Sequence, residues 1–246
     1  MSRSAPICRL FVDAPLRAQA LIELDKTQAN YLFNVLRLSA GATISVFNGL
    51  EGEWQAQLGG LAKRAPVLHI LTHLRAQTHA RDLIYYFAPL KSARLDYLMQ
   101  KGVEMGVSEM VPVLTRRVQA TRFNAERARA NMIEAAEQCE ILALPQLRPE
   151  IKLDTLLAHW PDDRTLIFCD ESAAQSSPVA TLQSVTQRDK LAVLIGPEGG
   201  FDPEERKLIT ALPQAVALSL GPRILRADTA AVAALALVQA VLGDLA

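Results

Sequence analysis

The stretch that decides the fold is LAVLIGPEGGFDPEERKL at residues 191–208, followed by AVALSLGPRILRADTAAVAA at residues 215–234. In both, a short apolar run that favours a strand ends at a Gly-Pro step, and a helix start follows. Asp202 and Glu205 have the spacing of a capping box, with Pro203 at the first helical position. Two such units in succession predict an α/β fold in which both loops lie at one edge of a mostly parallel sheet.

The same alternation of strands and helices extends upstream to about residue 82. Pro112 interrupts one of the strand-like runs, which predicts that this strand lies at a sheet edge or is bulged. Asn124 and Asp228 are the expected N-caps of two helices, and Gly106 ends another. The predicted strands are 83–87, 109–114, 165–169, 191–195 and 216–220, and the predicted helices are 92–105, 124–142 and 230–242.

The first 75 residues follow a different pattern, in which short β-rich runs surround one helical segment. Asn48-Gly49 marks the turn of a hairpin with a longer loop. The pattern predicts a compact barrel, so we expect a first domain at residues 1–77 and the α/β domain at residues 78–246. The predicted strands of the first domain are 8–13, 43–47, 53–58 and 67–74, and its helix is 26–36.

Composition excludes several classes of protein. Basic and acidic residues balance at 26 each, yet residues 1–130 carry a net charge of +7 and the remainder −7, which indicates that the front half meets something anionic. The apolar run at residues 230–238 is too short for a membrane span, which needs about 20 residues. The N-terminus also lacks the apolar core of an export signal. We therefore expect a cytoplasmic protein with no membrane partner.

The cysteines and histidines do not suggest a metal site. Cys8, Cys139 and Cys169 are widely spaced and odd in number, which favours reduced, buried thiols over disulfides or zinc ligands. His69 and His73 lie in a strand-like run, where a spacing of four is typical of ordinary strand residues. We expect no metal.

The first glycine loop, residues 196–200, has three glycines in five residues, so its backbone can approach a ligand closely. It matches neither GxGxxG nor GxxxxGK[ST], the phosphate-binding fingerprints. It contains no Lys or Arg, and Glu198 lies in its middle. These features favour a neutral or cationic ligand held by backbone groups, while a tight turn without a ligand is the alternative.

Basic residues lie beside the second loop and are concentrated in the stretch 75–130. Arg223 and Arg226 follow the second Gly-Pro step, where one of them could face an anionic substrate; surface ion pairs are the alternative. Between residues 75 and 130 there are 10 basic and 5 acidic residues. This excess is typical of a phosphate-backbone contact surface, although a solvated helix face also explains much of it.

Several motifs together resemble the ribosomal RNA small subunit methyltransferase E family. They occur in the family's order along nearly the whole chain, and the pair GPEGGF and LGPRILR is highly specific. The motifs are NVLRLSAG at 34–41, LKSARLDYLMQKGVEMGV at 90–107, AAEQC at 135–139, GPEGGF at 196–201 and LGPRILRADTA at 220–230.

This resemblance implies a SPOUT-type α/β domain with a mostly parallel sheet and a C-terminal trefoil knot, preceded by a small PUA-like β-barrel that helps to hold RNA. It implies S-adenosyl-L-methionine as cofactor and a homodimer packed through the knotted C-terminal domains. The implied reaction is N3-methylation of a uridine in the decoding region of 16S rRNA, in the small ribosomal subunit.

The resemblance also assigns candidate residues. For catalysis we expect Arg226 or Arg223 to stabilise the deprotonated uridine, with Glu198 and Asp228 as candidate bases, although either carboxylate could instead brace a loop or cap a helix. The expected cofactor contacts are Ile195, Gly196, Pro197, Gly199, Gly200, Leu220, Gly221, Ile224 and Leu225. The expected RNA-binding residues are Arg37, Lys91, Arg94, Lys101, Arg116 and Arg117.

The chain departs from the family pattern at two places. Asp228 stands where Glu is expected, which shortens the reach of that carboxylate. After AAEQC many members continue with Gly-Arg, whereas this chain has Glu140 and Ile141. Two alternatives stay open: a SPOUT enzyme that acts on another RNA, and a non-catalytic RNA-binding or ribosome-assembly protein with the same fold.

Overall fold

A computed structural model of the chain describes residues 8–59, 66–118, 123–171, 173 and 176–245. The chain divides into two units by its internal contacts. The first comprises Met1–His79 with Ala136–Ala143, and the second comprises Ala80–Ala135 with Leu144–Ala246. The second unit contains both glycine loops that the sequence singles out.

The first unit is built on a five-stranded curled sheet in the order β1-β3-β4-β5-β2. β1 pairs with β3 in parallel, and the other neighbours are antiparallel, including the predicted β3–β4 hairpin around Asn48-Gly49. Leu32, Val46 and Leu68 are among the apolar side chains that fill its core. The strands are β1 (Arg9–Phe11), β2 (Leu21–Glu23), β3 (Thr43–Phe47), β4 (Glu53–Leu58) and β5 (Val67–Arg75).

The single helical segment of this unit changes its winding part-way. Asp25 caps α1 (Lys26–Asn30) in a capping box with Gln28, and a π-helical turn (Tyr31–Val35) follows directly. The prediction of one helix over residues 26–36 is therefore confirmed in extent but wrong in its regularity. Apolar spacing alone does not distinguish α from π winding over five residues.

A buried carboxylate organises the middle of the first unit. Glu53 is 8% exposed, and its two oxygens accept hydrogen bonds from Arg9 Nε at 2.7 Å and Arg75 Nε at 3.0 Å. The Arg9 guanidinium also lies 4.5 Å from the centre of the Phe47 ring and donates to the carbonyl oxygen of Ala136 at 2.6 Å. Burial by itself raises the pKa of Glu53, but the hydrogen bond from Arg9 and the charges of both arginines outweigh it, so the pKa lies below its usual value of 4.5.

The departure at Glu140 has a backbone consequence. Glu140 has φ +56°, in the left-handed region that glycine adopts without strain. A glycine, which the resemblance leads us to expect at this position, would suit that conformation better. The carbonyl oxygen of Glu140 accepts a hydrogen bond from Arg75 at 2.8 Å, so this strained turn is connected to the residues around Glu53.

The second unit has an α/β architecture built on a seven-stranded sheet. The strands run in the order β12-β10-β11-β6-β7-β8, with β9 also pairing with β7, and every pair is parallel. The strands are β6 (Leu83–Phe87), β7 (Glu109–Leu114), β8 (Gln146–Leu147), β9 (Ile151–Lys152), β10 (Thr165–Cys169), β11 (Leu191–Ile195) and β12 (Ala215–Leu218). The helices are α2 (Ser92–Glu104), α3 (Ala125–Gln138), α4 (Leu153–Ala158), α5 (Pro178–Gln183), α6 (Pro203–Thr210) and α7 (Ala227–Leu242). The predicted parallel α/β class is confirmed.

Pro112 lies neither on an edge strand nor at a bulge, because β7 has neighbours on both sides and pairs with β6 in continuous register up to Pro112, so that prediction is wrong. β7 pairs with β6 on one side and with both β8 and β9 on the other. β8 pairs with Glu109 and Met110, and β9 pairs with Val113 and Leu114. Pro112 thus faces the interruption between two very short strands, where its missing N–H leaves no ladder hydrogen bond unmade.

The start of the last helix also differs from the prediction. α7 begins at Ala227, its N-cap residue is Arg226, and Asp228 lies in the first turn. The Asp228 carboxylate accepts a hydrogen bond from the backbone N–H of Thr229 at 2.9 Å, so it does not cap the helix. By contrast, Asn124 accepts from Arg127 N at 3.0 Å, as expected of the α3 cap.

The three cysteines are all free thiols, but their burial differs from the expectation. Cys139 is exposed, and Cys8 and Cys169 are of intermediate exposure. Among the described residues, no helix has both the length and the apolar character needed to cross a bilayer.

The lowered pKa of Glu53 predicts an acid-sensitive contribution to stability. The contribution is fully present above the ordinary pKa of 4.5 and is lost as the pH falls through the lower, folded-state pKa. At pH 6, Glu53→Gln should reduce the free energy of unfolding by about 3 kcal/mol, because the buried Arg9 loses its partner. Urea denaturation followed by circular dichroism measures this difference at each pH.

The difference between wild type and Glu53→Gln should narrow on acidification below pH 4.5, while the exposed Glu23→Gln control stays close to wild type throughout. A difference that is constant from pH 6 to pH 3 would contradict this account of Glu53.

Candidate active site

A cavity of about 470 Å³ opens at the carboxyl ends of three adjacent strands, β10, β11 and β12. Since β10 pairs in parallel with both β11 and β12, the loops that follow all three strands meet at one edge of the sheet. The two glycine loops predicted to share an edge therefore do so. The loop after β10 forms a third wall.

The wall that follows β11 depends on glycines. A Cβ on Gly196 would lie 2.9 Å from the Phe201 ring, and one on Gly200 would lie 2.6 Å from Glu171 Oε1. Gly200 has φ +66°, and its N–H donates to the carbonyl oxygen of Pro197 at 2.9 Å, which closes the turn. A side chain at Gly196 would displace its neighbours, and one at Gly200 would also strain the backbone.

The helix that follows this wall starts as predicted. The Asp202 side chain accepts from backbone N–H groups of the first turn, and the Glu205 carboxylate accepts from the backbone N–H of Asp202 at 3.0 Å. Pro203 occupies the first helical position. This complete capping box sets where the glycine loop ends.

Three arginines from elsewhere in the chain hold the same loop. Arg94 of α2 forms an ion pair with Glu198. Arg117 Nη1 donates to the carbonyl oxygen of Gly199 at 2.9 Å, and Arg116 Nη1 donates to Asp202 Oδ1 at 2.8 Å. The loop contains no basic residue, but its carboxylates are neutralised by these partners. Glu198, which the sequence places in the middle of this loop, is therefore one member of an ion pair.

The wall that follows β12 carries the second glycine loop. Gly221 has φ +97° with nothing within 4 Å of its Cβ position, so only its conformation requires glycine. Arg223 and Arg226 line the cavity, are exposed, and form no ion pair or hydrogen bond through their side chains within the described residues. Ile224 also lines the cavity and is 90% exposed, an unusual position for a large apolar side chain.

The wall that follows β10 was missed by reasoning from the sequence. Asp170 is 6% exposed and accepts from Arg206 Nε at 2.8 Å, while the carboxylate of the exposed Glu171 lies against Gly200. The sequence did contain a signal for this wall, since two acidic residues directly follow a predicted buried strand. The carboxyl ends of parallel strands lie at one edge of the sheet, so these residues could be expected to reach the same site as the glycine loops.

The thiol at the end of β10 is not an activated nucleophile. Burial and, to a smaller extent, the charge of Asp170 raise the pKa of Cys169 to about 12. Tyr85 of β6, in the same sheet, is fully buried, and burial raises its pKa well above 10. Both groups are therefore neutral at physiological pH, which leaves the chemistry of the cavity to the arginines and carboxylates.

The structure gathers most of the predicted site residues. Every expected cofactor contact lines the cavity except Gly199, whose neighbours on both sides do. The candidate catalytic residues Arg223, Arg226 and Glu198 line it as well, whereas Asp228 does not.

The expected RNA-binding residues are more dispersed. Arg94 lines the cavity, Arg116 and Arg117 hold the glycine loop, and Lys101 forms an ion pair with Glu104 at 2.7 Å. Lys91 is exposed at the start of α2. Arg37 belongs to the first unit, where it is exposed with φ +55°.

Comparison with known proteins decides the family. Residues 77–239 match the model of an RNA methyltransferase domain, and residues 24–71 match that of an RNA methyltransferase PUA domain. A ribosomal RNA small subunit methyltransferase E from Rickettsia conorii is 28% identical over 94% of both chains. This chain belongs to the ribosomal RNA small subunit methyltransferase E family.

Two solved structures of similar proteins contain S-adenosylmethionine. A methyltransferase from Legionella pneumophila has a TM-score of 0.81 at 29% identity, covering 95% of this chain and 97% of its own. A ribosomal RNA small subunit methyltransferase E from Neisseria gonorrhoeae has a TM-score of 0.84 at 25% identity, covering 99% of this chain and all of its own. The family's fold therefore extends over the whole of this chain.

The thiol environments predict selective labelling. The pKa of Cys8 is raised to about 11, mainly by burial, and that of Cys169 to about 12. At pH 8 only about one thiol in a thousand would be ionised at Cys8, and fewer at Cys169. A thiol-reactive disulfide at pH 8 should therefore label the exposed Cys139 first, as measured by peptide mass spectrometry.

A Cys139→Ser variant should lose nearly all of the rapid labelling. Rapid labelling of Cys169 in the folded protein would contradict the neutral thiol described above.

Proposed function

We propose that this protein transfers a methyl group from S-adenosyl-L-methionine to N3 of a uridine in the decoding region of 16S rRNA. The observation that carries the proposal is the cavity at which three strand-end loops meet, with glycine backbone on two walls and, on one, two arginines whose side chains form no ion pair within the described residues. It is supported by relatives named for ribosomal RNA methylation and by solved relatives that hold S-adenosylmethionine.

The residues present fit this cofactor. A cavity of about 470 Å³ lies within the range of small-molecule sites, about 300–1,000 Å³. Gly196 and Gly200 line the cavity and have no side chains, so their backbone N–H and C=O groups are accessible to an adenine ring. The expected holders are Ile195, Gly196, Pro197, Gly199, Gly200, Leu220, Gly221, Ile224 and Leu225.

The cofactor, when bound, supplies an electrophilic methyl group on a sulfonium. The protein must then make a weak nucleophile reactive, because uridine N3 carries a proton. A cation close to the base stabilises the deprotonated form, and a preorganised electrostatic donor of this kind contributes about 3–4 kcal/mol. Arg226 and Arg223 suit this role since they line the cavity and form no described ion pair.

Glu198 is the better of the two candidate bases. Its carboxylate lines the cavity and is partly exposed, with Arg94 as its ion-pair partner. Asp228 lies outside the cavity lining and accepts a hydrogen bond from the next backbone N–H. We assign proton acceptance to Glu198, and Asp228 to the first turn of α7.

The substrate is anionic, and exposed or partly exposed basic side chains supply the means to bind it. Arg37, Lys91, Arg94, Lys101, Arg116 and Arg117 are the proposed RNA contacts. Four of these already hold protein partners, so we propose that RNA phosphates compete for them or are bound by their remaining N–H groups.

Assembly and location follow from the same proposal. α7 is apolar nearly all round, and Val232 and Leu237 on its less buried side are only partly covered. We propose that this face packs in a homodimer of C-terminal domains that carry a trefoil knot, and that the enzyme acts in the cytoplasm. Sedimentation of the purified chain tests the dimer.

The two alternatives make different predictions. A non-catalytic RNA-binding or assembly protein should show no heat of binding with S-adenosylmethionine. A SPOUT enzyme acting on another RNA should bind the cofactor yet leave 16S rRNA unmodified. Nucleoside mass spectrometry of 16S rRNA from a deletion strain tests the proposal directly: N3-methyluridine should disappear, and its persistence would refute the assignment.

Arg226→Ala should separate cofactor binding from methyl transfer. Since Arg226 caps α7 through its backbone and its side chain makes no cap bond, the helix should stay intact. We expect unchanged cofactor affinity by calorimetry and a methyl-transfer rate reduced by about 10²–10³-fold. The control is Arg148→Ala, which removes an exposed arginine paired with Glu109. Wild-type transfer by Arg226→Ala would remove this arginine from the mechanism.

Gly200→Ala should weaken cofactor binding. Its Cβ would displace the Glu171 carboxylate and strain a residue with φ +66°. We expect a stability loss of about 1 kcal/mol and an increase in Kd for S-adenosylmethionine of about tenfold. The control is Gly41→Ala, which has φ +86° and open space around it. Gly41→Ala should lose similar stability and keep its affinity; equal affinities in both variants would contradict the role of the Gly200 backbone.

A further inference from the structure

The carboxylates around the cavity differ in their ion-pair and hydrogen-bond partners. Asp170 is paired with Arg206, Glu198 with Arg94, and Asp202 with Arg116. Glu205 is used in the capping box. Glu171 has no ion pair or hydrogen bond within the described residues.

The carboxylate of Glu171 also lies close to the glycine loop. Its Oε1 lies 2.6 Å from the position of a Cβ on Gly200, and its Oε2 lies 3.6 Å from it. This close approach is possible only because residue 200 has no side chain. Both residues line the cavity, so the carboxylate is presented beside the backbone proposed to hold the adenosine part of the cofactor.

The position of Glu171 in the sheet favours one type of ligand group. It follows β10, the strand directly beside β11, and β11 leads into the glycine loop. In α/β proteins that bind nucleosides, a carboxylate after the strand next to the glycine-loop strand accepts hydrogen bonds from ribose hydroxyls. An ionised carboxylate is an acceptor with two oxygens, which matches the two O–H donors of a vicinal diol.

We propose that Glu171 binds the ribose 2′- and 3′-hydroxyls of the cofactor. The proposal rests on the proposed function, because it requires S-adenosylmethionine in this cavity. It assigns Glu171 to cofactor binding and leaves the methyl-transfer step to Arg226, Arg223 and Glu198. Glu171 therefore determines affinity for the nucleoside part of the cofactor.

Calorimetry with S-adenosylhomocysteine tests this assignment, since that product keeps the ribose and the amino group and lacks the sulfonium. Glu171→Ala should weaken binding about tenfold or more, because a charge-assisted acceptor is lost. Glu171→Gln, which keeps one acceptor oxygen, should lose less. Glu150→Gln, an exposed glutamate distant in sequence from every lining residue, is the matched control and should bind as wild type does.

Two analogues identify the group that Glu171 contacts. The 2′,3′-dideoxy analogue of S-adenosylhomocysteine should bind wild type and Glu171→Ala equally. The analogue lacking the α-amino group should keep the full difference between them. A difference that persists with the dideoxy analogue, or that vanishes with the deaminated one, would overturn the proposal.

The controls also separate this proposal from the proposed function. If wild type does not bind S-adenosylhomocysteine, the proposed function fails and this assignment fails with it. If wild type binds and Glu171→Ala binds equally well, only the role of Glu171 is refuted. Thermal unfolding of each variant establishes that a loss of affinity does not come from a loss of the fold.

Discussion

The parallel pairing of β10 with both β11 and β12 is the constraint on which the candidate site depends. It brings together the carboxyl ends of three strands whose loops are separated by about 25 residues along the chain. No single loop forms a cavity, because each supplies only one wall. The glycines of the two later loops and the acidic pair of the first become a site only through this arrangement.

Charge neutralisation is the second feature of the site. The glycine loop and the start of α6 carry four acidic residues, and arginines from α2 and from the end of β7 pair with two of them. These arginines also tie the loop to elements that precede it by about 80–100 residues. Residues expected to bind RNA thus have a structural role, and their mutation will affect the cofactor loop as well as RNA affinity.

The sequence predicted most of the sheet because apolar runs and turn residues are local signals. β3, β4, β6, β7, β10 and β11 have the predicted bounds. β8 and β9, with two residues each, and β2, with three, are too short to have a periodicity. The position of Pro112 depended on where β8 ends and β9 begins, which no property of β7 reveals.

The site was predicted where it is built from glycine loops and missed where it depends on distant partners. The cofactor loops and the arginines beside them followed from motif and strand order. The pairing of Glu198 with Arg94 joins residues 104 positions apart and could not be read from local sequence. Asp228 was misassigned as a cap because a carboxylate near a helix start can cap it or can bond to the next N–H, and the backbone geometry decides.

A crystal structure of the protein with S-adenosylhomocysteine would establish whether the three strand-end loops form the cofactor site. We expect the ligand between the ends of β10, β11 and β12, with its nucleoside beside Gly200 and its sulfur facing Arg223 and Arg226. Ligand bound anywhere else, or none at millimolar concentration, would contradict it.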